Sequence, residues 1–298
     1  MENGIDRRRF LKAACALGAG VGLAGGNARR LLAAEAPKGA PNAAKLGWRL
    51  GCAAYSFNAL TFHETIAKVA ALGLDAVEGF TWQALSKEKP KVQTNPSMSA
   101  DDRKETKARL ADAGVKLLSI YCQALDKEDA CRRTFEFAKE MGIETLVGEP
   151  PFAAYDLIEK LCDEFQINLA VHNHPQPSQY WNPETLLKLC QGRSKRIGAC
   201  CDTGHWVRSG IGPVEALKKL EGRIISFHLK DVSEAGRKDA PCVPWGTGKG
   251  EIKPILAEVR RQGFKGFFPV EYEPYSPDNP AKIAQCIEYF DKVAAELA

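Results

Sequence analysis

"RIGACCDTGHWVRSGIGPVEALKKLEGRIISFHLKD" (residues 196–231) contains one complete unit of strand, helix and strand. Short apolar runs at 196–202 and 224–231 predict strands, and residues 213–220 between them have the apolar spacing of a helix. A helix between two such strands is the connection that joins parallel neighbours in a sheet. Both strands end on polar residues, so the unit predicts a parallel sheet with chemical groups at one edge.

The same alternation extends through most of the chain. Strands are predicted at 49–57, 74–80, 115–122, 144–149, 167–174, 196–202, 224–231 and 267–273. Helices are predicted near 62–72, 101–113, 128–141, 153–165, 183–191, 213–220, 252–262 and 279–296. Eight such units are the number that closes into a (β/α)8 TIM barrel, so we predict an α/β fold of this type.

An open doubly wound sheet is the alternative fold. It would require a G-x-G-x-x-G motif after the first strand to bind a dinucleotide, and that strand has none. The glycine-rich "GTGKGE" (246–251) lacks a Ser or Thr after its lysine, which makes it a poor phosphate-binding loop. We interpret it as a flexible loop after the seventh strand.

The N-terminal region resembles a twin-arginine export signal. Arg7 and Arg8 precede a weakly apolar run at 13–26, and "AEA" at 34–36 has the form of a cleavage site. The run is too short and glycine-rich for a stable membrane span. We therefore expect a signal peptide at 1–36, a periplasmic mature protein, a linker at 37–47 and the barrel at 48–298. The alternative is a basic amphipathic anchor helix.

Composition limits the classes of function and of cysteine chemistry. The 298-residue chain has a formal net charge of +4, and loss of residues 1–36 removes six basic and three acidic residues, which leaves +1. This balance gives little reason to expect a nucleic-acid partner. The chain has ten cysteines and no C-x-x-C, so we expect buried thiols that pack as small apolar groups. The oligomeric state stays open, and a homo-oligomer is possible.

Polar residues collect where the predicted strands end, which is where TIM-barrel active sites lie. The set comprises Glu78, Glu149, His172, His174, Asp202, His205, His228, Lys230, Asp231, Glu271 and Glu273. It includes four of the five histidines of the chain. Tyr55 and Trp206, also near strand ends, are candidates to stack on sugar faces, as are Phe57 and Trp82, although core packing is the commoner role for such residues.

Strand alternation then selects candidate metal ligands, since every second side chain points into the barrel. Strands five to eight supply one candidate each: His172, Asp202, His228 and Glu271. Two imidazoles and two carboxylates suit a divalent ion such as manganese, cobalt, zinc or iron. Each residue alone also has a structural interpretation, as a hydrogen-bonded histidine, a turn cap or a salt bridge. Alternation permits either His172 or His174 to face inward.

Four motifs resemble those of the xylose isomerase-like barrel superfamily, which includes sugar and sugar-phosphate isomerases and epimerases, inosose dehydratases and the endonuclease IV group. They are "CDTGHW" (201–206), "FHLKD" (227–231), "VPWGTGKGEI" (243–252) and "GFFPVEYE" (266–273). The resemblance covers residues from about 48 to the end. It implies that Asp202, His228 and Glu271 bind metal, that Glu271 doubles as the base, and that His205 contacts substrate.

The fifth strand departs from the family pattern. The family often has Glu-Asn-His there, with the glutamate as metal ligand and second acid/base, whereas this chain has His172-Asn173-His174. His172 can replace the glutamate as a ligand, and His174 can face the substrate. A metal-bound histidine does not readily shuttle a proton, so a symmetrical two-glutamate epimerase is in doubt. Partners for Glu271 would then be Glu149, His174, Lys230 or His205.

The resemblance implies an enzyme acting on a small carbohydrate. The leading hypothesis is a divalent-metal-dependent sugar isomerase or epimerase in which Glu271 removes the proton α to a carbonyl and forms an enediolate. Glu78 is an additional candidate substrate contact. A 3-keto-sugar lyase or hydratase on the same site is the main alternative, and a non-catalytic carbohydrate-binding barrel is another. A DNA-repair endonuclease would need more histidines and a basic face.

Overall fold

The computed structural model describes residues 39–123 and 125–298. Eight parallel strands close into a barrel and helices alternate with them, so the predicted (β/α)8 fold is confirmed. The strands of the barrel are β1 Arg49–Ala53, β2 Ala76–Phe80, β3 Lys116–Tyr121, β4 Thr145–Gly148, β5 Asn168–His172, β6 Ile197–Asp202, β7 Ile224–His228 and β10 Phe267–Val270. Two further short strands, β8 Asp231–Val232 and β9 Cys242–Val243, form an antiparallel pair outside the barrel.

The described helices cover the barrel from outside. They are α1 Pro41–Lys45, α2 Phe62–Ala71, α3 Ala100–Ala113, α4 Glu128–Met141, α5 Tyr155–Phe165, α6 Pro183–Leu189, α7 Thr203–Arg208, α8 Pro213–Lys219, α9 Ile252–Arg261 and α10 Asn279–Leu297. No helix in the described ranges is both long and apolar enough to cross a bilayer. The predicted signal peptide at 1–36 lies outside the described residues.

The predicted linker at 37–47 contains structure from Pro41 onward. Helix α1 begins with a proline in its first turn, buries Ala43 and packs on α10. The backbone N–H and the side-chain amide of Asn42 donate to the Asp291 carboxylate at 2.7 and 2.8 Å. These bonds join the start of the barrel domain to its last helix, so residues 41–45 are part of the domain.

Strand register brings the polar strand ends together at one rim. His172 pairs with Cys200, and Asp202 pairs with His228. A bridge between Leu229 and Val270 then places Glu271 at the same level of the barrel. The predicted seventh strand was too long by three residues: β7 ends at His228, because Asp231 turns away to pair with Val243.

The carboxylate of Asp231 organises the glycine-rich segment 246–251. It accepts hydrogen bonds from the backbone N–H groups of Gly246 at 2.9 Å, Gly248 at 3.0 Å and Gly250 at 2.7 Å. A Cβ on Gly248 would lie 2.4 Å from Asp231 Oδ1, so the close approach requires glycine. The N–H groups that a phosphate would need are already occupied by Asp231.

Replacing Asp231 by asparagine is expected to lower the free energy of unfolding by about 2–4 kcal/mol, because an amide keeps only one acceptor oxygen for several buried N–H groups. Urea denaturation of the parent and the variant measures this loss. Asp239→Asn is a matched control, because Asp239 is exposed and its only described side-chain partner is Arg237. Equal losses in both variants would contradict this role for Asp231.

The nine cysteines in the described ranges are all buried and unpaired, as expected from the sequence. Burial raises the pKa of Cys52, Cys162 and Cys286 to about 12. Thiolate is the reactive form, so these thiols should not react with a thiol reagent such as DTNB at pH 8 until the protein unfolds. Rapid labelling of the folded mature protein would contradict this expectation.

Candidate metal centre

Four side chains at the rim of the barrel converge as the sequence predicted. His172 ends β5, Asp202 ends β6, His228 ends β7, and Glu271 follows β10. Each offers one ligand atom, and these atoms lie within 4.8 Å of one another. All four side chains are buried. Each strand contributes its last inward position, so the barrel itself sets the spacing of the group.

Outer hydrogen bonds orient the two imidazoles of this group. Glu78 contacts His228 Nε2 and accepts a bond from the Ser119 hydroxyl at 2.6 Å. Glu149 Oε1 lies 3.3 Å from His172 Nδ1. A carboxylate on one ring nitrogen fixes which nitrogen remains for the metal. The remaining nitrogens are Nδ1 of His228 and Nε2 of His172.

The atoms at the centre of the group fit a divalent cation. His228 Nδ1 and Glu271 Oε2 are buried without a hydrogen-bond partner in the described part of the chain, although they lie 2.6 Å apart. Buried polar atoms normally have partners, and a cation would satisfy both of these. The donor set of two imidazole nitrogens and two carboxylate oxygens suits manganese, cobalt, iron or zinc.

His174 belongs to a different group. Its side chain is 48% exposed and contacts Glu149, whereas the His172 side chain is 2% exposed. His172, His174 and His205 also bring ligand atoms within 4.8 Å, but this group includes no carboxylate and no unpartnered buried nitrogen. The geometry therefore favours His172 as the ligand and leaves His174 facing the cavity.

Lys230 supplies positive charge beneath the carboxylates. Its Nζ lies 2.9 Å from Asp202, 3.3 Å from Glu271 and 3.2 Å from Glu273. Burial alone would raise the pKa of Glu271, but Lys230 and His228 outweigh it and the pKa falls. Burial also lowers the Lys230 pKa, yet the carboxylates Asp202, Glu271 and Glu273 raise it above its usual range. Both Glu271 and Asp202 are thus held ionised.

Arg208 fixes the tautomer of His205, a role that the sequence analysis missed. An Arg208 guanidinium nitrogen lies 3.2 Å from His205 Nδ1 and 2.9 Å from Glu273 Oε1. Because guanidinium has only donors, Nδ1 must accept and Nε2 must carry the proton. Burial lowers the His205 pKa well below its ordinary value. His205 is therefore a neutral donor. The sequence did contain a signal for this contact, since His205 and Arg208 have the H-x-x-R spacing that places two side chains on one face of a helix.

A cavity of about 640 Å³ lies over the four-residue group, and we call it the central cavity. Its lining residues include Tyr55, Phe80, Trp82, Tyr121, Cys122, Gln123, Glu149, His172, His174, His205, His228, Glu271 and Glu273. The lining thus combines aromatic rings with ionisable groups. Phe80 and Tyr121 were not predicted, although each ends its strand and could have been found there.

Two predicted substrate contacts lie elsewhere. Trp206 is 2% exposed, packs in the hydrophobic core and does not line the central cavity. Glu78 is fully buried and binds His228 and Ser119, so it orients a candidate ligand. Tyr55 lines the central cavity, and its contact with substrate stays a prediction.

The family model of xylose isomerase-like TIM barrels matches residues 66–293. The chain belongs to the xylose isomerase-like TIM barrel family. A crystal structure of an uncharacterized protein from Parabacteroides distasonis ATCC 8503 is 30% identical, with a TM-score of 0.67, and the match covers 83% of this chain and 99% of that one. A D-tagatose 3-epimerase-like protein shares the fold at 19% identity and a TM-score of 0.67, covering 84% and 100% of the two chains.

Curated relatives of this xylose isomerase-like barrel match over a shorter stretch. An inosose dehydratase from Lacticaseibacillus casei is 27% identical over 149 residues, which are 44% of this chain and 48% of the relative. The chain thus spans about half the length of the curated relative that it matches. These matches agree with the resemblance seen in the sequence motifs.

Proposed function

We propose that the protein is a divalent-metal-dependent enzyme that removes a proton α to a carbonyl of a sugar or polyol-like carbohydrate, in the manner of a sugar isomerase or epimerase. The observation that carries the proposal is the buried group His172, Asp202, His228 and Glu271 with two unpartnered atoms at the base of the central cavity. The names of the relatives, an inosose dehydratase and a D-tagatose 3-epimerase-like protein, support a carbohydrate substrate.

A divalent cation held by these four residues would polarise a substrate carbonyl and its neighbouring hydroxyl. Glu271, held ionised by Lys230 and lining the cavity, accepts the proton from the carbon beside the carbonyl. His205 donates a hydrogen bond from Nε2 to an oxygen of the substrate as charge develops there.

Elimination by a 3-keto-sugar lyase or hydratase is a second candidate, and the position of His172 favours it. One nitrogen of His172 faces Glu149 and the other faces Asp202, so this residue has no free nitrogen for a second proton transfer. Epimerisation needs a proton donor on the opposite face, whereas elimination begins with Glu271 alone. The inosose dehydratase relatives agree with this outcome.

The test is α-proton exchange in D2O, followed by proton NMR, with ketoses and 3-keto glycosides as probes and Mn²⁺-loaded protein. Loss of the α-proton signal, prevented by a chelator, is the expected result. A carbonyl at a new carbon identifies an isomerase, an inverted centre an epimerase, and an unsaturated product a lyase. No exchange with any probe would contradict an enzyme and favour a carbohydrate-binding barrel.

We propose further that the enzyme acts in the periplasm after export by the twin-arginine route. The supporting feature is the segment 1–36, with its paired arginines and small-residue cleavage site. Fractionation of cells that express the full chain tests this location. Retention of an uncleaved protein in the cytoplasm would contradict it.

A further inference from the structure

A second cavity of about 450 Å³ opens beside the central cavity, and we call it the side cavity. The two cavities share the lining residues Trp82, Cys122 and Gln123. The remaining walls come from the segment 93–97 and from helix α4. These three residues therefore lie between the two cavities.

Trp82 stands at the junction of the two cavities. Its ring packs against Phe80 at 5.0 Å between centroids and against Tyr121 at 5.4 Å, both at steep angles. The side chain is half-buried, so two ring contacts hold the indole while part of it stays accessible. A fixed indole offers a large apolar surface at low entropic cost, which suits the C–H face of a sugar ring.

The polar groups of the side cavity suit hydroxyl groups. Asn95 is fixed, since its amide donates to the Thr81 carbonyl at 3.0 Å and accepts from the Ser97 N–H at 2.9 Å. Gln123 and Arg133 make no side-chain hydrogen bond or salt bridge to other described residues and remain free for a ligand. No described residue that lines this cavity is acidic. The lining thus favours a neutral or anionic polyhydroxylated ligand.

We propose that the substrate is a glycoside or oligosaccharide, with its carbonyl-bearing ring in the central cavity and its second ring in the side cavity. This inference rests on the proposed function of the central cavity. Trp82 contacts the substrate where the two rings join, and Gln123 and Arg133 bind hydroxyls of the second ring. A single-ring sugar in the central cavity would leave Arg133, which lines only the side cavity, without a contact to the substrate.

Binding measurements on matched one-ring and two-ring sugars test the side cavity. The probes are D-fructose against lactulose and D-glucose against cellobiose, titrated into Mn²⁺-loaded protein by calorimetry. We expect a two-ring sugar to bind at least about tenfold more tightly than its one-ring partner, as a hydrogen bond to a charged group would give. The Arg133→Ala variant should lose this preference and keep the one-ring affinity, because Arg133 lines the side cavity and not the central one.

Lys104→Ala is the control, because it removes a charge from the exposed side of helix α3, outside both cavities. Equal affinities within both probe pairs, or a preference that survives in Arg133→Ala, would overturn the proposal. α-Proton exchange is measured on the same samples. Exchange without a two-ring preference overturns only the proposal that the side cavity binds a second ring. A two-ring preference without exchange overturns only the proposed enzymatic function.

Discussion

Replacing Glu271 by glutamine is expected to slow α-proton exchange by roughly 10²–10⁴-fold, the usual contribution of a general base. Glutamine keeps the size of the side chain and one oxygen that can bind a metal, but it cannot accept the proton. Glu271 is placed for this role by Lys230, whose Nζ lies 3.3 Å from Oε1, and by its position on the wall of the central cavity. Exchange measured by NMR in D2O gives the rate directly.

Glu288→Gln is the matched control for this variant, because it makes the same chemical change at an exposed position of helix α10. Metal content is measured in both variants, so that loss of the ion can be separated from loss of the base. A Glu271→Gln protein that retains its metal and exchanges at the parent rate would show that another group removes the proton. That group would not be His205, because its Nδ1 accepts a hydrogen bond from Arg208 and its Nε2 already carries a proton.

Replacing Lys230 by methionine is expected to destabilise the metal-free protein by about 3–5 kcal/mol, as loss of one partner from a buried ion cluster does. Lys230 is 1% exposed and is the cation that Asp202, Glu271 and Glu273 share. Methionine fills similar volume and leaves Asp202 and Glu271 without the charge of Lys230, whereas Glu273 keeps its contact with Arg208. A divalent ion would neutralise two of the same carboxylates, so added Mn²⁺ should recover part of the lost stability.

Urea denaturation with chelator and with Mn²⁺ measures both effects. Lys249→Met is the control, because Lys249 is exposed and lies outside the central cavity. If the variant folds only in the presence of metal, it is purified with Mn²⁺ and the ion is then removed by dialysis against chelator. Equal destabilisation with and without Mn²⁺ would contradict a shared electrostatic role for Lys230 and the metal.

The barrel and its rim were predictable because both depend on local patterns. Each strand is a short apolar run, each helix has a 3.6-residue period, and parallel closure sends the strand ends to one rim. The same logic selected His172, Asp202, His228 and Glu271, since the inward position at a strand end is determined by alternation. The sequence motifs of strands six to eight added the roles that the resemblance implies.

The structural features that were missed depend on contacts between distant segments. Glu78 and His228 are 150 residues apart, so no local sequence pattern shows that the Glu78 carboxylate orients the His228 imidazole. The bonds from Asp231 to the glycine segment 246–251 likewise join two sides of a loop. Trp206 lies in the core, on the short helix α7 directly after Asp202, where the sequence analysis predicted no helix.

The histidine pair on the fifth strand now has two distinct positions. His172 is buried among the candidate ligands, with Glu149 on one nitrogen and Asp202 near the other. His174 lies two residues on, half-exposed on the wall of the cavity. Strand alternation points both inward and could not choose between them. The motif match favoured His172, and burial now separates the two side chains.

The metal content of purified protein tests the central claim most directly, with His172→Ala and His174→Ala analysed beside the parent after incubation with Mn²⁺. We predict about one ion per chain in the parent and in His174→Ala, and clear loss in His172→Ala, because a ligand change lowers metal affinity far more than a change at the cavity wall. A parent without bound metal, or loss in His174→Ala alone, would contradict the four-residue site.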